Sequence, residues 1–447
     1  MKRLAVLGAA ESGIGTAVLG QKMGYDVFVS DSGNIKDCYK AELEARHILW
    51  EEGGHTLPSI MDADEVVKSP GIPDTVPVIR QLHEKGIPVI SEIEFAGRYT
   101  KARMVCITGS NGKTTTTSLI FHIMKKAGFN VGLAGNIGRS LARQVAENDK
   151  DWYVIELSSF QLDGMFRFRA DIGVLLNITP DHLDRYDYKM ENYAASKMRI
   201  LQNQRSEDSF VYWMQDEYIP EELCRLKPAS RQLAFSDTEN AETAAFIGEN
   251  SLVIPAFGGF EIPFDDIMLQ GRHNMRNCMA AALASRAAGV VPSDIKAGMK
   301  DFPGIEHRLE FAGEANGVRY INDSKATNID ACYCALESMT TPVVLILGGL
   351  DKGNDYTTIA PLVRKKCRAL VFLGMDNTKL QNFFADFGLP TCEVRSMKDC
   401  VKACADFAQV GDTVLLSPCC ASFDLFHNME DRGEQFKQQV KALQAEA

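Results

Sequence analysis

The chain is poor in positive charge for its size and has no long apolar runs. Lys and Arg total 48 against 59 Asp and Glu, which gives a formal net charge of −11 over 447 residues. An acidic chain lacks the overall positive field that non-specific binding to nucleic acid or anionic lipid needs. The apolar run at residues 343–347 is far shorter than the roughly 20 residues of a membrane-spanning helix. We therefore expect no nucleic-acid partner and no membrane insertion, and any bound phosphate needs a local site.

Spaced cysteine–histidine sets and a visible targeting signal are also missing. The 12 cysteines are scattered, and close pairs such as Cys332/Cys334 have no partner histidines at metal-ligand spacing. This argues against a structural zinc site and for reduced thiols. After Lys2 and Arg3, Glu11 interrupts the apolar run too early for a signal peptide. We therefore expect a cytoplasmic protein.

Short apolar runs alternate with Gly- or Asp-rich turns and helical periods along most of the chain. Predicted strands at residues 4–7, 27–30, 66–68 and 87–90 begin the pattern, and it restarts at 104–108 and 343–347. Such βαβ alternation predicts parallel sheets wrapped by helices. At about 100 to 200 residues per domain, we predict an α/β protein with three α/β domains, at residues 1–97, 98–304 and 305–447. Residues 212–264 are expected to be an irregular elaboration of the middle domain.

The strongest motif is a Gly-rich turn between a predicted strand and a predicted helix. It comprises Gly109-Ser110-Asn111-Gly112-Lys113-Thr114-Thr115. Backbone N–H groups in such a turn and the positive end of the helix dipole together suit a polyphosphate. Lys113 would reach the β- and γ-phosphates, and the Thr114 hydroxyl would hold Mg²⁺. The motif is shorter than a full Walker A sequence, because Ile107 stands where that pattern has Gly; the alternative is a capped helix with a surface lysine.

A second, weaker turn lies near the start of the chain, at Gly8-Ala-Ala-Glu-Ser-Gly13-Ile-Gly15. It lacks the middle Gly of the dinucleotide-binding pattern, although Asp31 follows the next strand where a ribose-binding carboxylate would stand. A nucleotide-like ligand and plain strand–helix packing are equally compatible with this turn.

Acidic and imidazole side chains follow two further predicted strands of the middle domain. Glu156 ends the strand at 152–156, and His182 follows the strand at 172–176. Ligands of doubly wound sheets bind at the carboxyl ends of strands, so Thr114, Glu156 and His182 are able to converge. A hard cation such as Mg²⁺ favours Glu156 and the hydroxyl, and His182 would serve a second ion. The alternative for His182 is a loop histidine paired with a neighbouring Asp.

Lys197 lies on the apolar stripe of the helix predicted at 190–201 rather than on its polar face. A partly desolvated lysine has a lowered pKa and a larger neutral fraction, which is able to react with CO₂ to give a metal-binding carbamate. The alternative is a lysine whose stem packs while its ammonium reaches water, and considered alone that alternative is favoured.

Polar groups also follow predicted strands in the third domain. These are the segments Asn322-Asp323-Ser324-Lys325-Ala-Thr327, Gly348 to Gly353 and Ser417 to Asp424. Lys325, Lys352 and neighbouring N–H groups would make an anion site suited to a small dicarboxylate, with solvated turns as the alternative. Upstream, Asn274 and Asn277 share one helical face and would hydrogen-bond a base or ribose; a capped helix start is the alternative there.

Taken in order, these segments resemble the Mur ligase family, and within it the branch that adds D-glutamate. The resemblance spans nearly the whole chain and rests on the stretches Ser69-Pro-Gly-Ile, Gly109-Ser-Asn-Gly-Lys-Thr, Gly135-Asn-Ile-Gly, Glu156-Leu-Ser-Ser-Phe-Gln, Asp181-His-Leu-Asp-Arg, Gly271-Arg-His-Asn, His307-Arg308, Asn322-Asp-Ser-Lys-Ala-Thr-Asn and Ser417-Pro-Cys-Cys-Ala-Ser-Phe-Asp. The Asn-Pro-Arg motif expected of diamino-acid-adding members is missing from the third domain.

The resemblance implies an N-terminal Rossmann-like UDP-binding domain, a central P-loop ATPase and a C-terminal Rossmann-like domain. It also implies an ADP-forming ligase that joins D-glutamate to UDP-N-acetylmuramoyl-L-alanine through an acyl phosphate. This is a step of peptidoglycan precursor synthesis, and hence of cell-wall growth, cell shape and division. ATP and two Mg²⁺ ions would be the cofactors, and the enzyme would be a cytoplasmic monomer.

The resemblance further assigns roles to residues. The catalytic residues would be Lys113, Glu156, His182 and Lys197. The metal ions would be held by Thr114, Glu156, His182 and a carbamylated Lys197. For Lys197, the resemblance therefore favours the carbamate over the solvated ammonium that was favoured above. ATP would be bound by Gly109, Ser110, Asn111, Gly112, Lys113, Thr114, Thr115, Asn274, Asn277, Arg308, Asp323 and Lys325. The UDP-sugar would be bound by Ser12, Asp31, Ser32, Ser69, Gly71 and Asn136, and D-glutamate by Thr327, Lys352, Ser417 and Phe423.

One departure and two alternatives qualify this assignment. Family members carry Arg in the segment after the residue matching Asp31, whereas this chain has Gly33 and Asn34, which bears on the contacts to uracil. A folate polyglutamate ligase would share the ATPase core, but the N-terminal domain and the segment starting at Ser417 argue against it. A non-ligating P-loop switch or motor would not need an anion site in a third domain.

Overall fold

A computed structural model describes residues 1–269, 271–351 and 353–446. This part of the chain divides into two compact units, of which the first comprises Met1–Met268 and Asn274–Phe302 and the second comprises the remainder. Two of its β-sheets lie in the first unit and one lies in the second. The prediction of an α/β fold built on three sheets is confirmed, whereas the domain boundaries at residues 97 and 304 stay predictions.

The first sheet is parallel throughout, with the strand order β3-β2-β1-β4-β5. Its strands are β1 (Arg3–Leu7), β2 (Asp26–Ser30), β3 (Leu49–Glu51), β4 (Glu65–Lys68) and β5 (Val89–Ile90), and its helices are α1 (Glu11–Lys22), α2 (Asp37–Ala45), α3 (Leu57–Met61), α4 (Pro77–Glu84) and α5 (Glu92–Gly97). Leu4 and Val6 belong to one core cluster, while Ala5 and Leu7 belong to the cluster on the opposite face. Both faces are covered, which is why the strands are almost continuous apolar runs.

The second sheet has the strand order β14-β13-β12-β11-β10-β9-β6-β8-β7 and is parallel from β7 to β12. Its strands are β6 (Arg103–Thr108), β7 (Val131–Gly135), β8 (Trp152–Glu156), β9 (Ile172–Leu175), β10 (Ser209–Trp213), β11 (Arg231–Ser236), β12 (Thr243–Ile247), β13 (Ser251–Ile254) and β14 (Phe260–Pro263). The accompanying helices are α6 (Lys113–Lys126), α7 (Leu141–Glu147), α8 (Ser159–Asp163), α9 (Met190–Met198), α10 (Ile219–Leu226), α11 (Arg272–Ala287) and α12 (Pro292–Lys300).

Residues 212–264 are more regular than their sequence suggested. The strand-like pieces pair with one another, β11 parallel to β10 and β12, and β13 antiparallel to both β12 and β14, so that they extend the second sheet. Pairing with an existing sheet edge supplies the backbone hydrogen bonds of such short strands. The stability that these hydrogen bonds supply does not appear as a period of apolar residues in the sequence.

Glu94, on α5, connects the helix that follows the first sheet to the loop that precedes β9. Its buried carboxylate accepts hydrogen bonds from the backbone N–H groups of Phe166, Arg167 and Phe168 at 3.0, 3.0 and 2.8 Å. Arg98, one turn later, pairs with the same carboxylate at 3.1 Å. Because three successive backbone N–H groups bond to the same buried carboxylate, this one side chain fixes the path of the loop against α5.

The third sheet has the strand order β15-β16-β20-β17-β18-β19, with β15 antiparallel to its neighbour and the other pairs parallel. Its strands are β15 (Glu310–Ala315), β16 (Val318–Asn322), β17 (Val343–Gly348), β18 (Cys367–Leu373), β19 (Thr391–Val394) and β20 (Thr413–Cys419), and its helices are α13 (Ile329–Ser338), α14 (Ala360–Lys366), α15 (Thr378–Phe384), α16 (Met397–Phe407) and α17 (Met429–Glu446). Alternate residues of β17 again face two separate core clusters.

The last strand, β20, runs three residues beyond the predicted end at residue 416. Pro418 lacks an N–H group and is typical of strand ends. Here it lies inside the strand, because the pairing of β17 with β20 shifts register between Ile346 and Gly348. Ser417 is therefore a buried strand residue and not the first residue of the following loop.

None of the helices in the described ranges combines the length and the apolar character that crossing a membrane requires.

Candidate active site

The Gly-rich turn between β6 and α6 has a conformation that depends on its glycines. Gly109 and Gly112 have φ angles of +147° and +84°, in the region that side chains disfavour. A Cβ atom on Gly112 would also lie 2.4 Å from Oδ1 of Asn277. Asn277 Nδ2 in turn donates to Asn274 Oδ1 at 3.2 Å, and both residues are buried. The two asparagines predicted to contact ATP therefore lie against the predicted phosphate loop.

Residues just after β9 hold this turn in place. Ser110 N donates to the carbonyl of Asn177 at 3.0 Å, and Ser110 Oγ donates to the carbonyl of Thr179 at 2.7 Å. Asn111 N donates to Asn177 Oδ1 at 2.8 Å. Asn177 and Thr179 had no predicted role, although their position directly after a strand that borders β6 was the available signal.

Lys113 and the threonines that follow it begin α6. Lys113 Nζ donates to the carbonyls of Gly109 and Ser110, both at 2.8 Å, which places an ammonium group at the Gly-rich turn. Thr114 and Thr115 are buried. A helix start that carries a fixed cation is suited to an anion. Binding of ATP by these residues stays a prediction.

Glu156 ends β8 beside the strand that leads into the turn, and it is 1 % exposed. Its Oε1 accepts a hydrogen bond from Asn136 Nδ2 at 3.1 Å, while its buried Oε2 has no hydrogen-bond partner among the described residues. A buried carboxylate oxygen of this kind is costly unless a cation or water satisfies it. This unpartnered carboxylate oxygen is of the kind that a hard cation prefers. Within the described ranges no group of at least three His, Cys, Asp or Glu residues is arranged for metal binding.

Lys197 is 2 % exposed, and its Nζ donates to the carbonyl of Gly109 at 2.9 Å. The ammonium also lies 4.5 Å from the centroid of the Tyr193 ring. Burial, followed by the nearby charge of Lys113, holds the pKa of Lys197 well below its usual value. The alternative of a solvated ammonium is therefore wrong, and the side chain ends at the Gly-rich turn.

His182 lies in the segment between β9 and α9, with a φ of +52° that is rare for a residue with a side chain. Its ring is half exposed, lies 3.7 Å from the carboxylate of Asp181 and contacts the ring of Phe160 edge-on at 5.2 Å. Phe160 belongs to α8, the first helix after Glu156. The structure thus brings His182 next to that helix, while binding of a metal by His182 stays a prediction.

The loops after β1, β2 and β4 lie together in the first sheet. A Cβ atom on Gly8, whose φ is +94°, would lie 2.4 Å from Ser69 Oγ, and that buried hydroxyl has no partner among the described residues. Asp31 accepts hydrogen bonds from Ala9 N at 2.7 Å and Gly33 N at 2.8 Å. The other predicted UDP-sugar contacts on these segments are Ser12, Ser32 and Gly71. Asn136 lies instead at Glu156, at the end of β7.

In the second unit, a buried carboxyl group joins two of the predicted segments. Asp323 accepts hydrogen bonds from Ser417 Oγ at 2.9 Å and Leu309 N at 3.2 Å. Burial raises the pKa of Asp323 to about 7, and the positive charge of Arg308 opposes this rise. Arg308, Asp323 and Ser417 are therefore neighbours.

The other residues of the second unit that were predicted to bind ligands lie in its loops. Lys325 N donates to the carbonyl of His307 at 3.0 Å, and Thr327 and the ring of Phe423 are exposed. Lys352 lies outside the described residues.

The raised pKa of Asp323 predicts a pH-dependent stability. Between about pH 4 and 7 the folded unit retains a proton that the unfolded chain has lost, so stability falls as the pH rises through this window. Asp323→Asn, which mimics the protonated form, should remove roughly 2–4 kcal/mol of this dependence. Scanning calorimetry from about pH 4 to 8 measures it, with exposed Asp386→Asn as the control. An unchanged profile in Asp323→Asn would contradict the prediction.

Comparison with protein-family models covers all three sheets. The MurD N-terminal domain matches residues 7–77, the Mur ligase middle domain matches residues 107–285, and the Mur ligase glutamate ligase domain matches residues 307–420. Together with the Gly-rich loop, these matches define an ATP-dependent, ADP-forming ligase that makes amide bonds.

Full-length relatives lead to the same group of enzymes. The UDP-N-acetylmuramoylalanine--D-glutamate ligase of Bacteroides fragilis is 57 % identical over 444 residues, which covers 99 % of this chain and 100 % of the relative. The enzyme of the same name from Porphyromonas gingivalis is 53 % identical over 443 residues, covering 98 % of each chain. The chain belongs to the Mur ligase family.

Solved structures share the fold at low sequence identity. UDP-N-acetylmuramate-alanine ligase MurC from Thermotoga maritima matches with a TM-score of 0.64 at 16 % identity, over 100 % of both chains. MurF ligase from Thermotoga maritima, in complex with ADP, matches with a TM-score of 0.60 at 16 % identity, over 94 % of this chain and 96 % of that chain. These similarities show the fold.

Proposed function

We propose that this ligase adds D-glutamate to UDP-N-acetylmuramoyl-L-alanine, with ATP converted to ADP and phosphate, as a step of peptidoglycan precursor synthesis. The observation that carries the proposal is the 57 % identity to a D-glutamate ligase over 99 % of the chain. The geometry supports it through the Gly-rich turn, the unpartnered oxygen of Glu156 and the buried Lys197. We place the enzyme in the cytoplasm, as a monomer.

In the proposed reaction, a carboxylate oxygen of the alanyl group attacks the γ-phosphorus of ATP, and the bond to ADP breaks. The amine of D-glutamate then attacks the carbonyl carbon of the acyl phosphate, loses a proton and expels phosphate as the amide forms. Lys113 offsets negative charge on the transferred phosphoryl group, since phosphoryl transfer depends on positioning and charge stabilisation.

Thr114 and Glu156 would hold one Mg²⁺, and His182 and a carbamylated Lys197 would hold a second. When bound, Mg²⁺ neutralises charge on the phosphate oxygens. Lys197 contributes its neutral amine, which burial favours: its nitrogen bonds to the carbon of CO₂ and releases a proton, which leaves an anionic carbamate. The Gly109 carbonyl that now accepts from Nζ fixes the direction of this side chain.

The remaining residues would position the substrates. Asn274, Asn277, Arg308, Asp323 and Lys325 are proposed contacts of ATP; Ser12, Asp31, Ser32, Ser69, Gly71 and Asn136 of the UDP-sugar; and Thr327, Lys352, Ser417 and Phe423 of D-glutamate. An enzyme with these contacts has to select a dicarboxylic amino acid, and buried hydrogen-bonding groups of a site discriminate well against analogues that leave them unpaired.

A phosphate-release assay tests the proposal. ATP and UDP-N-acetylmuramoyl-L-alanine are supplied with D-glutamate, with L-glutamate or with no amino acid. We expect phosphate release and a ligated product with D-glutamate, and background rates in the other two reactions. ATP turnover that ignores both the UDP-sugar and D-glutamate would favour a P-loop switch instead, and ligation of glutamate to a folate would favour a folate polyglutamate ligase.

A further inference from the structure

Apart from Thr114, the proposed metal ligands are Glu156, His182 and Lys197. They lie on or next to three different elements. Glu156 lies at the end of β8, separated by two residues from Ser159, where α8 begins; His182 lies in the segment between β9 and α9, and Lys197 lies on α9 itself. A metal site assembled from separate elements works only if their spacing is fixed to a few tenths of an ångström. Some contact must therefore set the position of α9 and of the His182 segment relative to α8.

Asp163, the last residue of α8, makes such a contact with both. Its Oδ1 accepts a hydrogen bond from Ser196 Oγ of α9 at 2.7 Å, and its Oδ2 accepts one from the Tyr186 hydroxyl at 2.8 Å. The two hydroxyl oxygens are 3.3 Å apart, and both donor residues are buried. One carboxylate thus uses each of its oxygens for a different element. Hydrogen bonds to an ionised carboxylate are among the stronger ones in proteins.

Each of the two donors is directly linked to a proposed ligand. Ser196 is the chain neighbour of Lys197, so its bond to Asp163 sets the rotation of α9 that directs Lys197 to the Gly-rich turn. Tyr186 stacks on Phe160 with ring centroids 6.2 Å apart and planes at 11°, and Phe160 contacts the His182 ring.

We propose that Asp163 is a positioning residue for the metal site, holding Ser196 and Tyr186 so that Lys197 and His182 keep a fixed distance from Glu156. This inference rests on the proposed function, and it adds a group that touches none of the reacting atoms. Asp163 acts through two hydrogen bonds: the bond from Ser196 orients Lys197, and the bond from Tyr186 orients His182 through Phe160. Each hydrogen bond can be removed by its own substitution.

The test compares Asp163→Asn, Ser196→Ala and Tyr186→Phe with a matched control in the full-length enzyme. The control is Asp149→Asn, because Asp149 also accepts from a tyrosine hydroxyl, that of Tyr153 at 3.0 Å, and from a second hydroxyl, that of Thr100 at 2.9 Å. Groups that orient metal ligands typically contribute about 10- to 100-fold in metal affinity or activity. We therefore expect Asp163→Asn to lower kcat by about 10- to 100-fold, to leave the KM of each substrate within about twofold, and to raise the Mg²⁺ concentration for half-maximal rate about tenfold.

A second readout needs no turnover. Mn²⁺ is titrated into each variant with a non-hydrolysable ATP analogue and followed by electron paramagnetic resonance. We expect Asp163→Asn to weaken Mn²⁺ binding about tenfold and the Asp149 variant to match wild type. Incorporation of ¹³C-labelled CO₂ at Lys197, followed by NMR, should fall more in Ser196→Ala than in Tyr186→Phe, since Ser196 lies on α9 and directly precedes Lys197.

The outcomes separate the inference from the proposed function. Asp163→Asn that matches Asp149→Asn in both kcat and Mn²⁺ binding overturns the positioning role. So does a loss of kcat that comes with equal increases in every KM and a lowered melting temperature, since that pattern indicates a purely structural residue. Weakened Mn²⁺ binding in Asp163→Asn, found together with a wild-type enzyme that does not ligate D-glutamate, supports the positioning role and rejects the proposed function.

Discussion

Lys113→Met is expected to lower kcat by about 100- to 1,000-fold, the range found when a preorganised group that stabilises charge in a transition state is removed. The structure places the Lys113 ammonium on the carbonyls of the Gly-rich turn, where transferred phosphate would meet it. Methionine keeps most of the side-chain volume and the helix propensity of the first turn of α6. The loss should therefore reflect the missing charge.

Phosphate release under saturating substrates measures this effect. Lys125→Met is the control, because Lys125 is an exposed lysine on the same helix and should retain wild-type kcat. The melting temperatures of both variants show whether the fold is retained. A Lys113 variant that keeps its kcat within tenfold of wild type would contradict a role in phosphoryl transfer.

Lys197→Ala is expected to reduce ligation to background, and added short carboxylic acids should restore part of the rate. The carbamate proposed on Lys197 would be an anion held in a buried site, so removing the side chain removes a metal ligand and leaves a cavity beside Gly109 and Tyr193. Formate, acetate or propionate can enter such a cavity and supply the missing carboxylate. Larger acids should restore less, because the space is set by one lysine side chain.

Rates with and without each acid, measured for the variant and for wild type, check this prediction. Lys189→Ala is the control, since Lys189 is exposed and directly precedes α9. The acids should change neither the control nor the wild type. Full activity of Lys197→Ala without any additive would exclude the carbamate role, and a variant that no acid rescues would argue for a structural one.

Central strands such as β1 and β17 could be predicted because they are buried on both faces. In β1 and β17 every residue toward either core is apolar, so a short continuous run in the sequence marks the strand and its ends. The pattern failed where tertiary pairing supplies the stability. The strands β11 to β14 form on the edge of an existing sheet, and β20 continues past Pro418 because the pairing shifts register at that point.

Some residues of the candidate site could likewise be predicted from the sequence, and others could not. Lys113 and Glu156 follow from local rules, a Gly-rich turn before a helix and a carboxylate at a strand end. Lys197 was suspected from its place on an apolar helical stripe, and the structure shows it buried. Asp163 gave no such signal, because its role depends on hydrogen bonds to residues 23 and 33 positions away in the chain. Hydrogen bonds between side chains that far apart in the chain produce no periodic pattern of residues in the sequence.

Strand order in the second unit has a consequence for synthesis of the chain. Strand β20 lies between β16 and β17, yet it is the last strand of that sheet to be made. While residues 413–419 are still on the ribosome, β16 and β17 both present open edges, and the sheet cannot close until translation of this unit is almost complete. The first sheet has no such delay, because its central strand β1 is made first. The sheet of the second unit therefore completes later than the first sheet, and until then it has open edges able to pair with other chains.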